Sequence, residues 1–287
     1  MLIAIHARKI CPTGIQLLAQ LQDLAYGFQK KLLLSEELAA LLASASPIYG
    51  TFKLAQLHLL KPALMVSLGG DGTFLETAHY IHNLEIPLLG INTGSLGFLA
   101  GLTAAKACLA LTNFLQGNYR LESRTLLHLK GNKGAPSFAL NEIALLKRDA
   151  ATLLTIDAYI NQQLITTYWA DGLIIATPTG STAYSMSCFG PIMLPSTRSF
   201  VITPVNPHNL AVRPLVVPQT AKLHFFVRGR NRDMIISADG RATVTATGQQ
   251  LSIKKASFTL KMVQFGDLTI FDALREKFYW GIDARNK

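Results

Sequence analysis

Cysteine is scarce: Cys11, Cys108 and Cys188 are the only three in 287 residues. They are odd in number, far apart and in no metal-ligand spacing, so they do not form a disulfide framework. A reducing compartment follows, with the cytoplasm as the expected location. Long apolar runs are missing as well. Hydrophobic residues make up 49% of the chain, yet no stretch approaches the ~20 residues of a membrane-spanning helix. The opening Met1-Leu2-Ile3-Ala4-Ile5-His6 is too short for the apolar part of a signal peptide and reads as a first strand. No membrane partner is expected. Internal repeats and low-complexity tracts are absent, no Gly-x-Gly-x-x-Gly turn follows a predicted strand, and there is no Walker A lysine.

Acidic residues are short in the middle of the chain. Residues 102–264 carry 17 Lys and Arg against 7 Asp and Glu, whereas residues 1–101 balance at 6 against 6 and residues 265–287 at 4 against 4. The whole net charge of +10 therefore lies in one section, where its field concentrates anions. The basic residues are scattered, with no block and no interleaved aromatics, so nucleic acid is not the expected partner. A small polyanion such as a nucleotide fits.

Strand and helix alternate over the first hundred residues. Leu2–His6 reads as a strand, and the spacing of Ile15, Leu18, Leu21, Leu24 and Ala25 predicts a helix over 14–26. Lys31–Leu34 is a second strand. Ser35 before Glu36 and Glu37 opens another helix, and Phe52–Leu60 reads as a helix that stops before Pro62. Strands at Pro62–Leu68 and Ile86–Ile91 flank a helix over 74–83. Such alternation predicts a doubly wound, Rossmann-like α/β domain with ligands at the carboxyl ends of its strands. From Thr103 the texture changes. After a helix over 104–116 come ten short β-rich segments, among them Phe138–Leu146, Leu173–Ala176 and Phe258–Met262. They predict an all-β sandwich. The expected division is residues 1–102 for the first domain and 103–264 for the second, with residues 265–287 returning as a helix to the first.

The chemistry begins at Leu68-Gly69-Gly70-Asp71-Gly72-Thr73. A buried parallel strand runs into this turn. Thr73-Phe74-Leu75-Glu76 behind it has capping-box spacing, which predicts a helix from Phe74. Gly69, Gly70, Gly72 and Thr73 offer bare backbone and a helix N-terminus, which suit phosphate. Asp71 repels phosphate and needs a local reason: a metal, or a proton to accept. Stabilising a tight turn is the plainer alternative.

A second polar cradle lies in Asp171-Gly172-Leu173-Ile174-Ile175-Ala176-Thr177-Pro178-Thr179-Gly180-Ser181-Thr182-Ala183-Tyr184-Ser185. An apolar strand enters a loop with four hydroxyls, and a helix is predicted near Thr182. A helix cap explains Ser181 or Thr182 alone but not the flanking Asp171 and Tyr184. Asn141-Glu142 is the third point. Neighbours on a regular strand face opposite ways, so both serve one ligand only where the strand ends or bulges. Otherwise Asn141 ends the pairing and Glu142 is solvated.

In this order the three pieces resemble the NAD kinase family. The resemblance rests on Gly69–Thr73, on Asn92-Thr93-Gly94-Ser95-Leu96-Gly97-Phe98-Leu99, on Leu140-Asn141-Glu142 and on the long Asp171–Ser185 motif. It continues through Pro207-His208-Asn209-Leu210 and Arg213–Pro218, and closes with Leu274-Arg275-Glu276-Lys277-Phe278 and Trp280. The Gly-Gly-Asp-Gly element is shared with lipid kinases and phosphofructokinases, whereas the long motif is specific.

The resemblance implies an α/β and an all-β domain with NAD between them. It implies transfer of the ATP γ-phosphoryl group, with a divalent metal (Mg²⁺), to the 2′-hydroxyl of the adenosine ribose. It further implies a homodimer or homotetramer in which a neighbouring subunit helps form the NAD site. By the same resemblance Asp71 is the general base. Asp71, Gly72, Phe98, Asn141, Glu142, Asp171, Thr182, Ala183, Tyr184, Ser185, Ser187 and Arg241 bind NAD, and Gly69, Gly70, Gly72 and Thr73 bind the ATP phosphates. No side chain is assigned as a direct metal ligand. Two departures stand out: Trp169 where the family often has Arg, and Ser187-Cys188-Phe189-Gly190-Pro191 where it has a smaller turn. Competing readings are a lipid or sugar kinase, a nucleotide sensor without turnover, and a dinucleotide oxidoreductase.

Overall fold

The computed structural model describes residues 1–42, 50–94, 97–131, 134, 137–149, 152–230, 232–265 and 270–278. Ser95, Leu96 and Trp280 of the motifs lie outside the described residues. The chain divides into two compact units, residues 1–123 with 260–287, and residues 124–259.

In the first unit, chain order is β1 (Leu2–His6), α1 (Pro12–Gly27), β2 (Lys31–Ser35), α2 (Glu36–Leu41), β3 (Gly50–Phe52), α3 (Leu57–Leu60), β4 (Leu64–Leu68), α4 (Asp71–Ile81), β5 (Leu88–Asn92), β6 (Leu102–Thr103) and α5 (Ala107–Leu115). The strands pair in parallel in the order β3-β2-β1-β4-β5, with β6 beside β5. Leu64, Val66 and Leu68 of β4 join Ile3 and Ile5 of β1 on one face, where Leu17, Leu18 and Leu21 of α1 and Ala107, Leu111 and Phe114 of α5 cover them. Each large side chain buried there contributes about 1.5–3 kcal/mol. Because the chain winds from β1 out to β3 and then returns to β4 on the other side of β1, the strand order reverses between β1 and β4. That reversal opens a crevice at their carboxyl ends.

The second group of elements is β7 (Arg120–Lys130), β8 (Phe138–Ala139), β9 (Glu142–Lys147), β10 (Leu154–Ile160), β11 (Gln163–Ala170), β12 (Gly172–Ala176), α6 (Tyr184–Ser187), β13 (Ser199–Val205), β14 (Leu215–Pro218), β15 (Leu223–Gly229), β16 (Asp233–Ala238), β17 (Arg241–Ala246) and β18 (Gln249–Gln264). Within the second unit β14-β13-β12-β9-β16-β17 form one antiparallel sheet, and β11-β10-β15 with the first part of β18 belong to another. Alternate residues fill the layer between them: Ile143 and Leu145, Leu173 and Ile175, Phe200 and Ile202 from one sheet, Ile156, Phe225 and Leu251 from the other. This two-residue period is that of a sandwich. The last element, α7 (Ile270–Phe278), returns to the first unit and buries Leu274.

The expected architecture is present, with four local differences. The first unit extends to residue 123 instead of 102, because α5 packs on α1 and its sheet. Helix α4 starts at Asp71 with Gly70 as N-cap and no side-chain cap, three residues ahead of the predicted start. Glu76, expected to fold back on Thr73, instead forms an ion pair with Arg8. The segment 52–60 is a strand end, a 3₁₀ turn at Leu54–Gln56 and the single-turn α3. Ser35 does cap α2, its Oγ accepting the Leu38 N–H at 3.2 Å.

Candidate active site

In the first unit the site gathers around Asp71. Its Oδ2 accepts the Phe98 N–H at 2.8 Å, and its Oδ1 accepts those of Leu99 and Ala100 at 3.0 Å each. One carboxylate thus ties the turn after β4 to the loop after β5. Gly97 makes the approach possible, since a Cβ there would stand 1.9 Å from Oδ1. The plain turn-stabilising reading of Asp71 is therefore part of its role. Oδ2 accepts only one of the three bonds, so a lone pair remains for a further donor. Gly69 and Gly70 make the bend, Gly72 lies in the first helical turn, and Thr73 is buried beneath Gly69.

Two cations near this turn escaped the sequence reading. Arg8 follows β1, and His6 lies opposite Ser67 of β4, so Arg8 stands on the rim of the crevice where the strand order reverses. Its Nε forms an ion pair with Glu76 Oε2 at 3.0 Å, and its Nη1 lies 3.9 Å from the place a Cβ on Gly72 would take. Lys277 of α7 sets its Nζ 4.0 Å from the centre of the Phe98 ring, which also packs on Phe278 at 5.4 Å. Burial lowers the Lys277 pKa, and the charge of Asp71 opposes that shift. The signals were slight: one Arg after a strand, and one Lys in a helix of balanced charge.

In the second unit, strand pairing brings three separate stretches together. Ala176 is opposite Glu142 and Ala238 is opposite Ile143. The loop after β12, the start of β9 and the β16–β17 hairpin therefore meet. The expected single strand over 138–146 breaks at Leu140-Asn141, between β8 and β9, as one ligand for both Asn141 and Glu142 requires. The break is filled by side chains. Thr177 donates from Oγ1 to the Leu140 carbonyl at 2.5 Å and from its N–H to the Asn141 carbonyl at 2.9 Å. Gly180 lies so close that a Cβ would stand 2.1 Å from the Asn141 carbonyl oxygen.

Asn141 and Glu142 are 7% and 8% exposed, yet Asn141 Oδ1 and Glu142 Oε2 have no hydrogen-bond partner among the described residues. Solvated Glu142 is thus excluded. Burial, and then the charge of Asp239, push its pKa up to about 8, against a bond from the Tyr184 backbone. Orphaned buried atoms of this kind cost about 1–3 kcal/mol each, and a bound ligand would satisfy them.

Helix formation near Thr182 is a 3₁₀ turn at Thr179–Thr182 followed by the short α6. Thr182 and Ala183 are half-buried, and Tyr184 is 38% exposed with its pKa raised by burial, Cys188, Asp171 and Glu142. Ser185 faces inward and pairs with Thr203 at 2.8 Å, holding the turn, while Ser187 is exposed. Arg241 donates to the Phe138 carbonyl at 2.8 Å and so braces β8. The Phe189 ring is 92% exposed and fills no interior space.

Asp171 stands apart. It precedes β12 and pairs with Lys147 at the end of β9, so six residue steps along β12 separate it from Thr177 by about 20 Å at strand rise, while its charge still reaches the Tyr184 hydroxyl. Burial works against its charge, but bonds from Lys147 and Asn206 and the charge of Lys147 outweigh it and lower its pKa.

Known proteins supply a further set of observations. Residues 37–119 match the ATP-NAD kinase N-terminal domain, and residues 140–265 match the ATP-NAD kinase C-terminal domain. The chain is 41% identical over 295 residues to an NAD kinase of Cytophaga hutchinsonii, covering all of both sequences. It is 40% identical over 264 residues to an NAD kinase of Flavobacterium psychrophilum, covering 89% of this chain and 90% of the other. Among solved structures, a yeast NADH kinase complexed with NADH superposes with a TM-score of 0.85 at 22% identity, over 100% of this chain and 90% of that one. An NAD kinase from Archaeoglobus fulgidus in complex with ATP gives a TM-score of 0.77 at 23% identity, over 97% and 99%. At these identities the structural likeness speaks for the fold. Both domain matches follow one another in the order of the two units, and the full-length relatives share two residues in five, so the chain belongs to the ATP-NAD kinase family.

Proposed function

We propose that the protein is an NAD kinase: it transfers the γ-phosphoryl group of ATP to the 2′-hydroxyl of the adenosine ribose of NAD, making NADP. The observation that carries this reading is the pair of orphaned acceptors, Asn141 Oδ1 and Glu142 Oε2, buried in a break of the sheet. A ribose and an adenine supply the hydroxyl and amine donors that such a pair lacks. Thr182, Ala183 and Tyr184 line the same junction, and Gly69, Gly70, Gly72, Thr73 and Arg8 receive the ATP phosphates.

Asp71 accepts the ribose hydroxyl proton as the oxygen attacks phosphorus, while its other lone pairs stay on the amides of residues 98–100. A positioned base of this kind is worth roughly 10²–10⁴-fold in rate, and the rest of the catalysis is alignment and charge neutralisation. Among the described residues no three His, Cys, Asp or Glu side chains gather as a metal site. Mg²⁺ brought with ATP would offset the charge facing Asp71.

Asp171 lies at the opposite end of β12 from Ala176, the strand partner of Glu142. We infer that it serves the nicotinamide end of an NAD molecule held with a neighbouring copy, in a homodimer or homotetramer. The cytoplasm is the compartment where three free cysteines and these substrates coexist. The test is direct. The protein is incubated with NAD, ATP and Mg²⁺, and NADP is read by a coupled dehydrogenase. No NADP would reject the kinase reading and leave the nucleotide sensor; NADP formed at full rate by Asp71→Asn would reject the base. Light scattering after size exclusion gives the subunit number.

A further inference from the structure

The turn Leu140–Glu142 is clamped from two sides, and only one of the clamps belongs to the motif after Asp171. The other is Asp239, at the tip of the β16–β17 hairpin. Its Oδ2 accepts the Leu140 N–H at 2.7 Å, and its Oδ1 accepts those of Asn141 and Glu142 at 2.8 and 3.2 Å. In return the Asp239 N–H donates to the Glu142 carbonyl at 3.1 Å. This geometry depends on a left-handed backbone at Asp239, where φ is +50°, followed by Gly240 at +78°. Aspartate is among the few side chains that tolerate that region.

We propose that Asp239 is a positioning residue for the dinucleotide, holding Asn141 and Glu142 so that their unpartnered oxygens face the adenosine ribose; the inference rests on the kinase reading above. A turn that served the fold alone would have its buried side-chain oxygens paired. Here the backbone N–H groups of all three residues are satisfied by one carboxylate, while Asn141 Oδ1 and Glu142 Oε2 are left without a partner among the described residues. The anchoring is spent on aiming groups at something outside the chain.

Burial raises the pKa of Glu142, and the charge of the same carboxylate adds to that; burial raises the pKa of Asp239 as well. The groups that face Glu142 are Asp239 from the hairpin and Tyr184 from α6, whose backbone N–H bonds to it; Arg241 at the start of β17 acts on Asp239. Burial together with the Asp239 charge keeps Glu142 protonated at neutral pH. A neutral carboxyl keeps acceptor capacity for a ribose hydroxyl and does not repel the pyrophosphate. Ligand that shields Glu142 from water favours this form further, so NAD affinity declines as pH rises through about 8.

The test is NAD titration by calorimetry between pH 6.5 and 9.5 on the full chain, with steady-state kinetics alongside. For Asp239→Asn the expected result is an NAD affinity weakened at least tenfold at pH 7.5, a KM for ATP within twofold of wild type, and a pH midpoint at least one unit lower. The new amide opposes the Leu140 N–H and can prevent folding, so Glu142→Gln is measured too. It keeps Asp239 and removes the titrating group, and its NAD affinity is expected to be flat across the range. A folded Asp239→Asn with wild-type affinity and midpoint overturns the proposal, as does a midpoint near 8 that persists in Glu142→Gln. If the wild-type protein makes NADP, either result refutes this inference alone. A wild-type protein that binds no NAD refutes the kinase reading and this inference with it.

Discussion

Asp71 and Asp239 hold their neighbours in the same way. Each sits where its backbone turns sharply, and each accepts three successive backbone N–H groups from a loop far away in the chain, residues 98–100 for Asp71 and residues 140–142 for Asp239. Charge-assisted bonds of this kind are worth about twice their neutral counterparts. Each unit therefore fixes one functional loop by one carboxylate.

The dependence on Gly97 gives the first prediction. An added Cβ meets the Asp71 carboxylate at 1.9 Å, so Gly97→Ala must part Asp71 from the loop. Losing two or three of these bonds costs about 2–4 kcal/mol, and Tm is expected to fall by about 5–12 °C. Turnover should drop at least tenfold with it. At Gly94 a Cβ would meet only Asn92 Oδ1, at 3.9 Å. Gly94→Ala should leave Tm within about 2 °C, and an equal loss in both variants would count against the Asp71 clamp.

Glu142 makes stability depend on pH. Its folded pKa, about 8, lies above the unfolded carboxylate value, so folding favours the protonated form. Stability is full below the unfolded value, near 4.3, and is lost as pH rises towards the folded one. Glu142→Gln removes the titration. The variant should match wild type at pH 4.5 and exceed it by roughly 1–3 kcal/mol at pH 8.5, with weaker NAD binding. Urea unfolding at the two pH values measures it, and a constant difference would show that Glu142 is already ionised in the fold.

How much of this was legible in the sequence depends on the range of the interaction. The β4 run and the Gly-Gly-Asp-Gly turn were readable because a buried strand and a bend are local. Thr73-x-x-Glu76 misled because it has capping-box spacing, whereas Glu76 is taken by Arg8, from another strand end. The apolar spacing of α5 was plain, but its packing on α1 was not, and the domain boundary was placed 21 residues early. A break at Asn141 was only the condition for one ligand to meet both Asn141 and Glu142, and the segment itself read as a single strand. What holds it open, Asp239, lies about a hundred residues on, and nothing in its own Asp-Gly turn showed which loop it would hold. Asp171 was grouped with Tyr184 by sequence distance, and its charge does act on the Tyr184 hydroxyl, although β12 separates its backbone from that of Thr177.

Lys277 gives a prediction that separates charge from packing. Its ammonium lies over the Phe98 ring, whose own N–H bonds to Asp71. Such a contact is worth about 0.5–2 kcal/mol. Lys277→Gln should lose most of it and lower kcat about three- to tenfold, because the loop at Phe98 loosens and Asp71 loses its nearby cation. Lys277→Arg keeps both charge and stacking and should recover most of the rate. Equal losses in Gln and Arg would mean that the fit of the side chain matters and its charge does not.

Arg8 tests where the triphosphate lies. In a doubly wound sheet the ligand takes the crevice where strand order reverses, here between β1 and β4. The glycine turn after β4 supplies backbone there but no cation, and the chain has no Walker A lysine. Arg8 is the cation at that rim, held by Glu76 at 3.0 Å and leaning towards Gly72. One charge-assisted bond to phosphate is worth about 1.5–3 kcal/mol, so Arg8→Ala should raise KM for ATP about tenfold or more. NAD affinity measured without ATP should be unchanged, since Asn141 and Glu142 belong to the other unit. Glu76→Gln keeps the Arg8 charge but frees its guanidinium, and a smaller rise of about two- to fourfold is expected. Should Arg8→Ala weaken NAD binding and leave KM for ATP alone, the triphosphate does not lie at the β1–β4 crevice, and the assignment of Gly69, Gly70, Gly72 and Thr73 to its phosphates falls with it.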